Sequence, residues 1–266
     1  MITRVILLPD FHYPHHNKLA VKATFQFIQW FKPHIVVILG DALEMDAINH
    51  WQRDKGNRKF FENKRLLQEY EGFDRDILTP LDKLCENSNK RRKKVRKIFM
   101  GGNHEDWINV LFNKFPEFEG MLEPEIALKL KERNWEWIPF IQIGEQGNVT
   151  RGIVRFGKLN VFHGTYYNKY HASKTADEYS KSCAYAHTHD IQSYTKEFAD
   201  DLGYHTAQSI GCLCDRSPAF KWGKANRWVN AFGVLYVRED GMYNLYVPII
   251  IRGKFTFADK EFNGNR

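Results

Sequence analysis

Aliphatic runs that end in carboxylate, imidazole or amide side chains constrain this chain more than any other feature. Val5-Ile6-Leu7-Leu8-Pro9 runs into Asp10-Phe11-His12, and Ile35-Val36-Val37-Ile38-Leu39 runs into Gly40-Asp41-Ala42-Leu43-Glu44. Val95 to Met100 runs into Gly101-Gly102-Asn103-His104-Glu105. Val161-Phe162 precedes His163-Gly164, and Ala184-Tyr185-Ala186 precedes His187-Thr188-His189. Uninterrupted aliphatic runs suit strands buried on both faces, as in parallel sheets covered by helices. Between the first two runs, Val21, Phe25, Ile28 and Phe31 recur at helical spacing, and Pro33 ends the pattern. Strand, helix and strand in that order predict an α/β fold. The carboxyl ends of parallel strands share one edge, where ligands bind, so the polar clusters are expected to converge there. Extended chain places residues i and i+2 on one side, so Asp10/His12 and His187/His189 can each offer two side chains to one site.

The rest of the chain divides in two. Residues 44–88 are polar and helix-favouring, with Leu66, Leu67 and Tyr70 as an apolar stripe and a break at Leu78-Thr79-Pro80. A helix is expected from about Glu105 to Lys114 and a shorter one over Glu125–Lys131. From Trp135 onward short strands dominate: Trp135–Ile143, Gly152–Phe156, Leu159–Phe162, Ala184–Tyr185, Ser193–Phe198, Thr206–Ile210, Trp228–Arg238 and Tyr243–Ile251, with one helix over Ala172–Ser182. The expected organisation is one domain over residues 1–257 with a helical insert at about 45–93, followed by a frayed polar tail over 258–266.

The formal net charge of +7 invites an anionic partner. Much of the excess lies in Lys90-Arg91-Arg92-Lys93-Lys94-Val95-Arg96-Lys97, a candidate nucleic-acid contact whose bland alternative is a solvated loop. No stretch approaches the roughly 18 apolar residues of a membrane helix. The opening residues read as a first strand rather than a signal peptide. A cytoplasmic location, in a bacterial or phage-infected cell, is therefore expected, with Cys85, Cys183, Cys212 and Cys214 reduced. Cys212 and Cys214 would share a face of a strand. Packing is the favoured reading for them, because no second Cys or His pair follows at zinc-knuckle spacing.

The carboxylates, imidazoles and amide oxygen at the strand ends suit Mn, Fe, Zn, Ni or Co better than Ca. Their order resembles the signature D-x-H, G-D-x-x-[DE], G-N-H-[DE], H and G-H-x-H of the calcineurin-like metallophosphoesterases, notably phage and bacterial members. The matching blocks span residues 10 to 189, with Ala186 where glycine is usual. The resemblance implies a four-layer α/β/β/α sandwich of two mixed sheets flanked by helices. It implies two divalent ions, Mn foremost. Asp10, His12, His189 and a bridging Asp41 would hold one ion; Asp41, Asn103, His163 and His187 would hold the other. His104 would protonate the leaving oxygen of a phosphorylated substrate. Glu44 and Glu105 compete to orient His104, and Glu44 is preferred.

The expected activity is hydrolysis of phosphomonoesters or phosphodiesters, including nucleotides or nucleic acid. The alternative is a non-catalytic nucleic-acid-binding or scaffold protein that keeps a metal site. Met45-Asp46 after Glu44, instead of Arg-Gly, argues against a eukaryotic-type protein phosphatase, and histidine at position 104 argues against the lipid-precursor pyrophosphatases. His15, His16, His34, His50, His171 and His205 take structural readings, with His15 and His16 near enough to Asp10 to line a pocket mouth. The seven tryptophans read as core or interface. Tyr166, Tyr167 and Tyr170 are candidates for substrate contact, and Gly211 marks a small-residue loop that would close the site.

Overall fold

A computed structural model describes residues 2–87, 94–143, 147–197, 203–216 and 226–266. The aliphatic runs become β1 (Thr3–Leu8), β2 (Ile35–Leu39) and β3 (Arg96–Met100), which pair in parallel with one another and with β4 (Trp135–Ile138). A hairpin of β5 (Ile141–Ile143) and β6 (Val149–Arg151) follows. Next come β7 (Val154–Phe156), β8 (Leu159–Phe162), β9 (Cys183–Tyr185), β10 (Ser193–Glu197) and β11 (Tyr204–Ser209), which form a five-stranded mixed sheet in the order β10-β11-β9-β8-β7. Finally β12 (Gly233–Val237) and β13 (Tyr243–Tyr246) return to the first sheet, making the order β13-β12-β1-β2-β3-β4.

The pleat explains why β1 to β3 carry the apolar runs Val5–Leu8, Ile35–Leu39 and Ile98–Met100. Ile6, Leu8, Val36, Ile38 and Phe99 face a core that includes Ala20, Phe27 and Phe31 of helix α1 (Lys18–Phe31). Val5, Leu7, Val37, Leu39, Ile98 and Met100 face a second core with Val161, Ala184 and Ala207 of the five-stranded sheet. Helix α1 starts where Asn17 Oδ1 accepts the Ala20 N–H at 3.0 Å, and it ends at Lys32, whose φ of 51° leads into Pro33. No helix among the described residues is long and apolar enough to cross a membrane.

Several expectations shift. The stretch between β2 and β3 holds α2 (His50–Asp54), α3 (Leu66–Phe73) and α4 (Thr79–Asn87), and Leu67 is exposed rather than part of the apolar stripe. Pro80 does not break this stretch. A π turn over Asp74–Leu78 joins α3 to α4, and the wider turn accepts a ring that a continuous α-helix would clash with. Helix α5 (Asn103–Phe112) begins two residues earlier than expected, because the Glu105 carboxylate accepts the Gly102 N–H at 2.8 Å and caps it. The segment read as a helix over Glu125–Lys131 forms only the single turn α6 (Pro124–Ala127). Pro139 splits the strand read over Trp135–Ile143 into β4 and β5. Helix α7 (His171–Tyr179) stands against the sheet face that carries Phe162 and Tyr185.

The basic run is less free than its composition suggests. Arg96 makes two 2.7 Å bonds to Glu136. Lys97 is buried against Asp82 and the Trp135 ring. Lys90, Arg91, Arg92 and Lys93 lie outside the described residues.

The tail is not frayed. Strands β14 (Lys254–Phe257) and β15 (Lys260–Asn263) form a hairpin on α1. Phe262 is buried, stacked on Phe255 at 5.0 Å and edge-on to Phe27 at 5.1 Å. One apolar residue among polar ones carried too little pattern to be read as a strand. Phe262→Ala is therefore expected to destabilise the chain by about 3–5 kcal/mol in urea unfolding. A change within about 0.5 kcal/mol, typical of an exposed site, would show that the tail is loose.

Candidate metal centre

The loops after β1 and β2 are laced together before any site exists. The backbone amides of His12 and Tyr13 donate to the carbonyls of Asp41 and Ala42, both at 2.9 Å, and Glu44 N–H donates to Tyr13 O at 3.0 Å. Glu105, buried in the first turn of α5, ties in the loop after β3. Its carboxylate accepts the N–H groups of Asp41 at 2.9 Å, Leu43 at 2.9 Å and Gly102 at 2.8 Å. Gly102 has to be glycine, since a Cβ there would fall 2.2 Å from Asp41 Oδ1 and 2.4 Å from Asp41 N. On the other sheet, Ala186 N–H donates to His163 O at 2.8 Å, and His187 N–H donates to the Asp10 carboxylate at 3.0 Å.

The backbone bends sharply to present these side chains. Asp10 (φ 41°), His12 (φ 48°), Asp41 (φ 45°), His187 (φ 71°) and His189 (φ 60°) all take left-handed conformations. Such conformations cost non-glycine residues about 1–3 kcal/mol each and cluster at functional sites. Ala186 is not among them, so alanine fits where the family pattern has glycine.

The side chains meet in two groups, buried except for the half-buried His187. Ligand atoms of Asp10, His12 and His189 lie within 4.8 Å of one another, and so do those of Asp41, His163 and His187. Asn103 Oδ1 is 3.1 Å from His163 Nε2. All seven residues expected to hold metal are thus brought together at the strand ends. Hydrogen bonds then decide which ring nitrogens carry hydrogen. His163 Nδ1 lies 2.9 Å from the Leu39 carbonyl, which can only accept. His163 Nε2 therefore faces Asp41 Oδ2 at 3.3 Å and Asn103 Oδ1 at 3.1 Å, donating to them while the ring is protonated and offering a lone pair to a cation once it is not. Likewise His12 Nδ1 faces Glu44 Oε2 at 2.8 Å, which leaves His12 Nε2 facing His189 Nε2 at 3.0 Å. The second nitrogens of His187 and His189, both Nδ1, are buried without a hydrogen bond. Converging lone pairs on carboxylate, imidazole and amide oxygen fit a pair of divalent cations.

Protonation follows the same logic. Burial pushes the Asp10 carboxyl up to about 8 against the pull of His163. Burial would also raise Asp41, but His163, His104 and His12 outweigh it and hold it well below the usual carboxylate range. Burial lowers the basicity of His12, yet Glu44, Asp41 and Asp10 raise it to about 10. His163 rises to about 9 by the same contest with Asp41. Burial and the His163 charge bring His187 down to about 4. Protons on Asp10, His12 and His163 thus occupy positions where cations would bind.

His104 stands beside the two groups. Its Nδ1 donates to the Glu44 backbone carbonyl at 2.7 Å, while the Glu44 carboxylate takes His12. The expected pairing of the Glu44 carboxylate with His104 is replaced by this carbonyl, and Glu105 serves the backbone instead. Trp107 stacks on His104 at 4.2 Å and Trp228 stands edge-on to His189 at 4.2 Å, so two tryptophans read as core or interface flank the site. Spacing could have flagged Trp107, one helical turn from His104. Nothing local marked Trp228. Tyr167 is exposed, with its ring 6.3 Å from that of His187, and Tyr166 lies under Lys174. His171 is a buried partner of Tyr185 and Asp190, as a structural histidine would be.

No protein-family model matches the chain, and no curated protein does. Among solved structures the chain is similar to Chaetomium thermophilum Vps29, at 12% identity and a TM-score of 0.35, over 93% of this chain and 97% of that one. A second crystal structure reaches 13% identity and 0.34, over 92% and 99%. Likeness at this level carries no argument, and the site rests on its own geometry.

Because protons and cations compete for His12, His163 and Asp10, divalent-ion affinity is expected to rise as pH climbs from about 6 toward 9, with protons released on loading. Calorimetry in buffers of different ionisation enthalpy reads both. Affinity that falls with pH, or loading without proton release, would show that these groups are not the ligands.

Proposed function

We propose that this chain is a calcineurin-like metallophosphoesterase that hydrolyses phosphomonoesters or phosphodiesters with two divalent ions, Mn foremost. In this reading its two sheets and flanking helices form a four-layer α/β/β/α sandwich. The observation that carries the reading is the pair of ligand groups whose hydrogen-bonded imidazoles aim their second ring nitrogens at the same small space as the carboxylate oxygens. Asp10, His12 and His189 would hold one ion, His163, His187 and Asn103 the other, and Asp41 would be shared. Bound there, such ions polarise phosphoryl oxygens and lower the pKa of a water.

The chain's own residues supply the rest. Asp41 Oδ1 accepts the His104 N–H at 2.9 Å, which fixes His104 relative to the shared carboxylate. With Nδ1–H given to the Glu44 carbonyl, His104 exchanges its catalytic proton at Nε2, where it would protonate the leaving oxygen. The Trp107 face and the His12 edge, 4.7 Å away, restrict rotation of the ring. Glu44 orients His12 rather than the acid. A nucleic-acid or nucleotide substrate would meet the basic run Lys90–Lys97, in which Arg96 and Lys97 pair with Glu136 and Asp82.

Metal-dependent turnover of p-nitrophenyl phosphate and bis(p-nitrophenyl) phosphate is the direct test. Asp41→Ala is expected to abolish it, and His104→Gln to lower kcat by about 10²–10⁴-fold while both ions stay bound. Full turnover in excess chelator or in Asp41→Ala would overturn the reading. Two bound ions with no turnover on either ester would favour a non-catalytic scaffold.

A further inference from the structure

The loop after β11 carries two thiols into the same corner of the molecule. Cys212 and Cys214 are both buried, and the four cysteines are all reduced. Leu213 N–H, between them, donates to the carbonyls of Pro9 at 3.0 Å and Asp10 at 3.1 Å, which fastens the loop to the end of β1. Cys212 also pairs with Asn230 in an isolated bridge, and Val229 N–H donates to His189 O at 2.8 Å. Two segments far apart in sequence therefore pin the thiols beside His189.

The result is a third buried ligand group. The ligand atoms of His189, Cys212 and Cys214 lie within 4.8 Å of one another. Neither thiol belongs to the donor set described above. Two further observations set this group apart from packed small residues. His189 Nδ1 is buried with no hydrogen bond, while Nε2 meets His12. The buried Asn230 amide donates to the Cys212 and Cys214 carbonyls at 3.3 and 2.7 Å and approaches Cys212 Sγ at 3.9 Å. Those bonds fix the loop that carries both thiols, and the Cys212 thiol, which donates to the Val229 carbonyl at 3.6 Å, would exchange that hydrogen for a cation.

We propose that Cys212, Cys214 and His189 form a binding site for a thiophilic divalent cation such as Zn²⁺. Soft thiolates with imidazole select Zn²⁺ over Mn²⁺, which prefers oxygen. Binding is a ligand exchange: each thiol that coordinates gives up its proton to solvent, and no oxidant or reductant takes part. The sequence hid the site because its third ligand lies 23 positions before Cys212. The inference rests on the metal-centre reading, because His189 belongs to both groups. The two sulfurs thereby give the Asp10 side of the centre a softer character than the Asp41 side.

Titration with Co²⁺ tests the site without any turnover assay. Coordination by nitrogen and oxygen gives visible d–d bands, whereas thiolate coordination adds a near-ultraviolet charge-transfer band. The full chain is expected to show both. Cys212→Ser/Cys214→Ser should lose only the charge-transfer band, and Cys85→Ser/Cys183→Ser should keep it. Zn²⁺ affinity should fall at least about tenfold in the first double variant while Mn²⁺ affinity holds. Visible bands without the charge-transfer band in the unaltered chain would overturn the thiolate site and leave the metal centre standing. No bands of either kind would overturn both. The unaltered chain decides the matter even if the serine variant fails to fold.

Discussion

The Glu105 carboxylate holds the arrangement together. It is buried, and it accepts three backbone N–H groups from two different strand-end loops. Leaving those donors unsatisfied would cost about 1–3 kcal/mol each. Burial and the nearby Asp41 charge raise the Glu105 pKa, and the N–H groups of Leu43 and Gly102 pull it back. The clamp sets Asp41, whose own carboxylate meets His104 N–H, His163 and His12. Asp41, the residue proposed to be shared, is therefore placed by a hydrogen bond to its backbone, and its side chain is left for the site.

That clamp also sustains backbone strain. Five of the seven residues read as ligands take left-handed conformations, and no local interaction in an isolated peptide would hold them there. The lacing of the β1 loop to the β2 loop, and of His187 to Asp10, supplies the restraint. The two cores then keep the sheets in register, so the groups from β1 to β3 face those from β8 and β9. Packing far from the site thus reaches the chemistry through the positions of strand ends.

Much of this was legible in the sequence. Strands β1 to β3 announced themselves because both faces are buried, and their polar ends announced the site because such residues rarely follow apolar runs without purpose. Helix α1 was legible from the spacing of Val21, Phe25, Ile28 and Phe31 and from Pro33, because these signals are local. Long-range contacts were not legible. Glu44 and Glu105 have the same side-chain chemistry, and only the backbone they face decides that one orients His12 and the other caps α5. Trp228 reaches His189 across 39 positions, and Phe262 reaches α1 from the end of the chain. Pro80 looked like a break because a π turn has no sequence pattern of its own.

The central claim is that these side chains form a two-ion centre. Elemental analysis of the chain after equilibrium dialysis against Mn²⁺ tests it most directly. The account predicts two ions per chain, falling to one when His163 and His187 are replaced by alanine. An unaltered, folded chain that retains no ion would contradict it.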